Sequence, residues 1–256
     1  MTTLLAAIDD SPACRPILEV ATRAAKLLGA EVVAVHVQHG ESGETARATT
    51  LALGIPLLVR DGDTVAALGA ARVELQAVAV AIGSRSLPGG ALPAGHVALA
   101  LARDASVPVI VVPPDAAARP IERILIALGR NGDGQIVVAL AEQLSRMDEP
   151  DIVAVHVFRP DEIPPFGDDP TFEAEGWARE LLRHTTGTAA ARVHLDLRVG
   201  DPAIEVSRAV RDLDADLVVL AWHHDLSGDH ARIVRRVLET ATVPIVLLDA
   251  QPATVA

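Results

Sequence analysis

The chain has 256 residues, half of them hydrophobic, and a formal net charge of −12. This length allows one large domain or two small ones with a substantial core, and the acidic balance excludes a surface built to neutralise nucleic-acid phosphates or to attract anionic lipid. Aromatic residues make up only 2% and Tyr is absent from the sequence. We therefore expect a core of Ala, Val, Leu and Ile, which suits parallel strands covered by helices on both faces.

Cysteine content and the N-terminal residues bear on the compartment. Cys14 is the single cysteine of the sequence, which excludes an intrachain disulfide and a zinc site of several cysteines. The first apolar run, residues 4–8, follows no basic region and is too short for a signal peptide or a membrane span. We expect a cytoplasmic protein with no membrane partner.

In chain order, short apolar runs alternate with helical patterns. Residues 4–8 are predicted as a buried strand, followed by a turn in which Ser11 or an Asp caps a helix that begins near Pro12 and ends before Gly29. The next predicted elements are strands at 31–37, 55–59 and 77–82, and helices at about 44–53 and 63–74. This alternation predicts a parallel sheet wound with right-handed crossovers.

Residues 82–113 contain an apolar run, a loop rich in Gly and Pro, a helical segment and a second apolar run. Nucleotide-binding α/β domains use this order to hold phosphate, because glycines let the backbone approach the anion and a helix N-terminus faces it. The ligand crevice of such a sheet lies at the carboxyl ends of its strands. Asp9, Val37 and Gly83 are all placed at predicted strand ends.

After a Pro-rich linker at 116–120 the pattern begins again. Four later segments match four earlier ones in the same order: ILIAL at 124–128 with LLAAI, IVAVHV at 152–157 with VVAVHV, LRVGDPA at 197–203 with VRDGDTVA, and TVPIVLL at 242–248 with SVPVIVV. Ordered matches indicate a tandem duplication, with one domain at 1–116 and another at 121–250. One continuous fold is the alternative.

Three features of the second copy invite functional readings. A Pro-rich insertion at 159–170 is interpreted as a solvated loop, with a lid as the alternative. Residues 223–230 hold three His and two Asp, but their spacing matches no established zinc pattern, so we expect a polar loop and no metal site. His36 and His156 occupy matching strand positions and are expected to be structural and not catalytic.

Together these segments resemble the universal stress protein family in its tandem two-domain form. The resemblance rests on AAIDDSPA, VVAVHV, the GD that opens the third helix, AVAVAIGSR and VPVIVVPP. It implies an α/β fold of two tandem doubly wound five-stranded parallel-sheet domains, like the adenine nucleotide alpha hydrolases. It also implies a pseudo-twofold through the last strands, so that residues 107–112 meet 243–248 in an intramolecular pseudo-dimer, which covers both edges.

Nucleotide-binding members of the family carry a motif of Gly, two residues, Gly, nine residues, and Gly followed by Ser or Thr. Gly83 and Arg85 match its start, while Ser86 stands at the second Gly. Gly95 is followed by His96, whose ring bonds a phosphate oxygen only in some protonation or tautomeric states. By resemblance, Gly83, Arg85, Gly95 and His96 line the phosphates.

Asp9 is the single residue that matches the family pattern most strongly. By resemblance it contacts the adenine and ribose end of the nucleotide, and Val37 lies against the base. From the residues alone Asp9 is a helix-capping carboxylate, and the two roles are compatible. The first domain is accordingly predicted to bind ATP or AMP, with Mg²⁺ only alongside the nucleotide.

The second domain departs further from the motif. Gly129 replaces the strand-end Asp, and Trp222 and His223 are placed where Gly83 and Ser84 would be. Bulky side chains there would fill the phosphate space, so we expect no ATP in this domain.

The predicted function is a non-catalytic stress-response protein with an adenine-nucleotide site in its first domain. The alternative is an interaction or scaffold protein in which both sites have decayed, with an unidentified protein partner. We assign no catalytic residues, because the sequence has no Gly-x-Ser-x-Gly elbow or paired-carboxylate signature; weak ATP hydrolysis stays open.

Overall fold

The computed structural model describes residues 2–40, 42–84, 96–104, 107–116, 119–129, 150–159, 193–222 and 228–249, with residues 96, 104, 222, 228–231 and 249 described by their backbone alone. We call residues 2–116 the first half and residues 119–249 the second half. Among the described segments, none of the helices has the length and hydrophobicity that a membrane span requires.

Strands and helices alternate through the first half. Its elements are β1 (Thr2–Ile8), α1 (Cys14–Leu28), β2 (Ala30–Gln38), α2 (Glu44–Leu53), β3 (Leu57–Asp61), α3 (Thr64–Glu74), β4 (Ala77–Gly83), α4 (His96–Asp104) and β5 (Val109–Val112). The described elements of the second half are β6 (Arg123–Leu128), β7 (Asp151–Phe158), β8 (Val193–Val199), α5 (Pro202–Asp212), β9 (Leu217–Trp222), α6 (Gly228–Thr240) and β10 (Ile245–Asp249).

All ten described strands form one sheet in the order β3-β2-β1-β4-β5-β10-β9-β6-β7-β8. Each half contributes five strands that pair in parallel, and both follow the same order from the edge to the centre. The halves join through an antiparallel pair of β5 with β10, in which Val109 lies opposite Leu247. The predicted fold class and the meeting of the two last strands are confirmed.

The core continues across this join. One cluster of buried side chains contains Val109 and Val111 of β5 together with Ile245 and Leu247 of β10. The same cluster takes in residues of α3, α4 and α5, so these helices cover one face of the sheet. The two halves therefore share one sheet and one hydrophobic core. Burial of these side chains stabilises the join, and the pairing of β5 with β10 leaves neither strand as an exposed sheet edge.

An ion pair between the third strand and the following helix recurs in both halves. Arg60 of β3 contacts Glu74 of α3 with an N–O distance of 2.6 Å. Arg198 of β8 contacts Asp212 of α5 at 2.7 Å, across the same separation of 14 residues. This recurrence of a side-chain contact supports the duplication that the sequence matches indicate.

The start of α1 differs from its prediction. The helix begins at Cys14, and its N-cap residue, Ala13, makes no side-chain cap. Ser11 Oγ accepts a hydrogen bond from Ala13 N at 3.2 Å, and Cys14 N donates to Ser11 O at 3.1 Å. Pro12 and Ala13 thus form a turn before the helix, because Ser11 accepts hydrogen bonds from Ala13 and Cys14 and from no N–H group further along α1. The end at Gly29 is confirmed by its left-handed backbone, φ 60°.

The third strand begins two residues later than predicted, at Leu57 and not at 55. Gly54 ends α2 in the left-handed conformation, and Ile55 N donates back to Thr50 O at 2.9 Å. Ile55 therefore belongs to the C-terminal cap of α2. Pro56 has no N–H group to donate to a neighbouring strand.

Candidate functional site

The carboxyl ends of the central strands of the first half meet at one edge of the sheet. β1 pairs with β2 on one side and with β4 on the other, so the direction of winding reverses between β1 and β4. Ile8 lies opposite His36, and Ala7 lies opposite Ile82. This register sets Asp9, the residue after β1, level with the ends of both neighbouring strands, which is where doubly wound sheets bind ligands.

Val37 and Gly83 lie at that same edge. Val37 is the penultimate residue of β2 and Gly83 is the last residue of β4. Val37 is buried in the core cluster under α3 and α4, so it lies on the sheet face that those helices cover. The residue after Gly83, Ser84, is buried and donates its N–H to Val112 O at 2.8 Å.

The other predicted phosphate residues are placed only in part. Arg85, Ser86 and Gly95 lie outside the described residues, and His96 is described by its backbone alone, as the first residue of α4. Of the six predicted site residues, the structure brings Asp9, Val37 and Gly83 to one edge of the sheet.

Asp9 is held by the turn that follows β1. Its Oδ1 accepts hydrogen bonds from Ser11 Oγ at 2.6 Å and from Ser11 N at 3.2 Å. Asp9 thus fixes Ser11 and does not cap α1, in contrast to its capping role in the sequence prediction. Within the part of the chain that the structure describes, hydrogen bonds to Asp9 reach Oδ1 alone. Oδ2 is an acceptor of the kind that a ribose hydroxyl or an adenine amino group needs.

The neighbouring carboxylate, Asp10, has a structural role that the sequence did not reveal. Its Oδ2 accepts from Gly43 N at 3.0 Å and its Oδ1 from Ala46 N at 3.1 Å, so it caps the start of α2. Desolvation raises the pKa of Asp10, but the N–H groups of Ala46, Thr45 and Gly43 and the charge of His36 together bring that pKa below its usual value. Both oxygens of Asp10 therefore hold the start of α2, whereas hydrogen bonds in the described structure reach only one oxygen of Asp9.

Two buried histidines tie the second strand of each half to the end of the first. His36 Nδ1 lies 3.2 Å from Ile8 O, and His156 Nδ1 lies 3.3 Å from Leu128 O. Both have the structural role expected for them. Because the two contacts are equivalent, Leu128 of β6 corresponds to Ile8 of β1, and Gly129 stands where Asp9 stands in the first half.

The strand register corrects the predicted correspondence at the end of β9. Ala127 lies opposite Leu220, as its counterpart in β1 lies opposite Ile82. Ala221, and not Trp222, therefore corresponds to Gly83, and Trp222 corresponds to the residue after it.

Two segments singled out in the sequence fall largely outside the described side chains. These are the insertion, of which only residue 159 is described, and residues 223–230 with their three His and two Asp. Among the side chains that are described, no group of three His, Cys, Asp or Glu is arranged to hold a metal ion.

The chain was compared with protein-family models, with curated sequences and with solved structures. The family model described as the universal stress protein family matches residues 120–248. The fold is similar to that of a universal stress protein from Archaeoglobus fulgidus DSM 4304, with 17% identity, 96% of each chain covered and a TM-score of 0.63. A putative universal stress protein from Pseudomonas aeruginosa UCBPP-PA14 gives 14% identity, a TM-score of 0.64 and coverage of 97% of this chain and 93% of that one. No curated protein sequence matches the chain significantly.

Proposed function

The chain belongs to the universal stress protein family, and we propose that it is a stress-response protein that binds one adenine nucleotide, ATP or AMP, in its first half. The site is the carboxyl edge of β1, β2 and β4. We further propose that the protein acts in the cytoplasm and is not an enzyme, and that Mg²⁺ enters only with the nucleotide.

The observation that carries this proposal is the position of Asp9 at the reversal of winding between β1 and β4. Its Oδ1 is committed to Ser11, which orients the carboxylate, while Oδ2 is left to accept a hydrogen bond from the ribose or the base. A preorganised acceptor of this kind contributes more to binding than a mobile one. Val37, at the neighbouring strand end, supplies an apolar contact for the base.

The phosphates would lie beyond the end of β4. Gly83 is followed in the sequence by the segment that contains Arg85 and Gly95, and α4 begins at His96. A helix N-terminus directs N–H groups at an anion, and an Arg adds a charge-assisted hydrogen bond. The nucleotide would therefore span from Asp9 to the start of α4.

The second half lacks two of these features. Gly129 supplies no carboxylate at the position of Asp9, and Ala221 has a Cβ where Gly83 has none. We therefore propose a single nucleotide site per chain, although the second half is the part that the family model matches.

Equilibrium binding of ATP, ADP and AMP, with and without Mg²⁺, tests the proposal on the wild type and on Asp9→Asn. The substitution keeps the size of the side chain but removes the charged acceptor, so affinity should fall by about tenfold or more. Asp63→Asn is the matched control, because Asp63 caps α3 through Ala66 N at 2.9 Å and Asn caps equally well.

Each variant removes one negative charge at this end of the sheet. If only this overall charge mattered, both variants would bind the anionic nucleotide slightly more tightly. A loss confined to Asp9→Asn would support direct contact. If the wild type bound none of the three nucleotides saturably, the proposal would fail, and the protein would be better described as a scaffold that presents its tandem surfaces to a partner.

A further inference from the structure

A cavity opens where the two halves join. It has a volume of about 380 Å³, within the range of roughly 300–1,000 Å³ that small-ligand pockets occupy. Its walls come from α1, from the linker between the halves, from the end of α5 with the turn after it, and from the residues before β10. Asp9, Val37 and Gly83 do not line it, so the cavity is separate from the part of the proposed nucleotide site that the structure describes.

One wall of the cavity is fixed by ion pairs of a half-exposed arginine, one of them to a buried carboxylate. Arg119 of the linker contacts Asp216 with an Nε–Oδ1 distance of 2.6 Å, and it also reaches Asp214 at 3.2 Å. The side chain of Asp216 is only 9% exposed, and its Oδ2 accepts from the backbone N–H groups of Glu122 and Arg123, each at 2.9 Å. These contacts hold residues 119–123 against the turn after α5, so this wall is preformed and its charges are largely satisfied.

Two further arginines line the cavity, and they come from different halves. Arg23 is half-buried on α1, and Arg211 is exposed in the last turn of α5. Within the described part of the chain, neither side chain makes an ion pair or a hydrogen bond. Asp115 is the remaining charged residue of the wall, and it is exposed, so water screens its charge.

The rest of the lining is mainly apolar. Val20, Val210 and Val243 line the cavity and are largely buried, and Ile121 and Pro244 complete this part of the wall. The cavity thus combines an apolar surface with charged groups, and an organic ligand can cover the first with its body while the second orient its polar group.

We propose that this cavity binds a small organic anion whose carboxylate or phosphate group pairs with Arg23 and Arg211 and whose apolar body packs against Val20 and Val210. Because the two arginines belong to different halves, the ligand bridges them. Occupancy therefore stabilises the join, since a ligand that binds only the folded state raises the free energy of unfolding.

The test uses benzoate and phenyl phosphate as probes, with inorganic phosphate for comparison, in calorimetric titrations of the full chain. The two organic probes distinguish a carboxylate from a phosphate as the preferred group, and at least one should bind saturably and more tightly than inorganic phosphate. In the double variant Arg23→Gln with Arg211→Gln, the affinity should fall by about tenfold or more, the factor that a charge-assisted hydrogen bond contributes.

Matched variants separate a site from a change in overall charge. Arg15→Gln with Arg208→Gln removes two exposed arginines from the same two helices, outside the cavity, and should leave the affinity within about twofold. Asp9→Asn should leave it unchanged, whether or not a nucleotide binds there. Asp115→Asn should also leave the affinity within about twofold, because water screens the charge of this exposed carboxylate. Absence of saturable binding of both organic probes, or equal losses in the two double variants, would overturn the proposal.

Discussion

Ile245 of β10 lies opposite Val111 of β5, and both side chains are completely buried. This contact lies at the only antiparallel pairing among the described strands, the one that joins the halves into one sheet. It follows that the join belongs to the core and that the stability of each half depends on the other.

Ile245→Ala should lower the free energy of unfolding by about 2–5 kcal/mol, the range for a buried large-to-small substitution that leaves a cavity. Ile204→Ala is the control, because Ile204 is 46% exposed on α5 and its truncation should cost less than about 1 kcal/mol. Urea denaturation of the three proteins measures both values. Similar losses in the two variants would show that the join contributes no more than an exposed surface.

Gly43 and Gly54 flank α2, and each has φ 66°. A Cβ at Gly43 would lie 3.3 Å from the ring of His36, whereas one at Gly54 would have nothing within 4 Å. Both Ala substitutions incur backbone strain of about 1 kcal/mol, and Gly43→Ala should cost more because the buried ring must move. Denaturation curves of the two variants test this order, and an equal cost would mean that the ring adjusts freely.

Asp10 should give α2 a pH-dependent contribution to stability. Its pKa is lowered in the folded state through the N–H groups at the start of α2, despite an opposing effect of desolvation. Stability from such a group is fully present above the unfolded-state pKa and is lost as the pH falls through the folded-state pKa. Asp10→Ala should therefore be less stable than the wild type near neutral pH, and the difference should shrink in acid.

Urea denaturation at about pH 7 and about pH 3 measures that difference. Asp63→Asn, which keeps a capping acceptor on α3, is the reference for general effects of removing a carboxylate. A difference between wild type and Asp10→Ala that is independent of pH would contradict the role assigned to Asp10.

Much of the fold was predictable from local patterns. The ordered matches between the halves predict the tandem arrangement, because apolar runs fix where buried strands lie. The β5–β10 pair was predicted only through the resemblance to the universal stress protein family. Gly29 marks the end of α1 because a left-handed residue there satisfies the last carbonyls.

For the candidate nucleotide site, the sequence predicted only which residues lie at the ends of strands. The sequence places Asp9 and Asp10 alike, and only the contact of Asp10 with Ala46, 36 residues later, separates the structural carboxylate from the other. Likewise, the pairing of β6 with β9, and not the sequence match, shows that Ala221 corresponds to Gly83. The cavity at the join was not predictable, because its arginines belong to segments that meet only through the antiparallel pair.

The central claim is that the first half, and not the second, holds one adenine nucleotide. The most direct measurement is the stoichiometry of ATP binding by calorimetric titration of the full chain. We predict saturation at one ATP per chain, with the affinity weakened by about tenfold or more in Asp9→Asn. Saturation at two per chain, undiminished binding by Asp9→Asn, or no saturable binding would contradict the account.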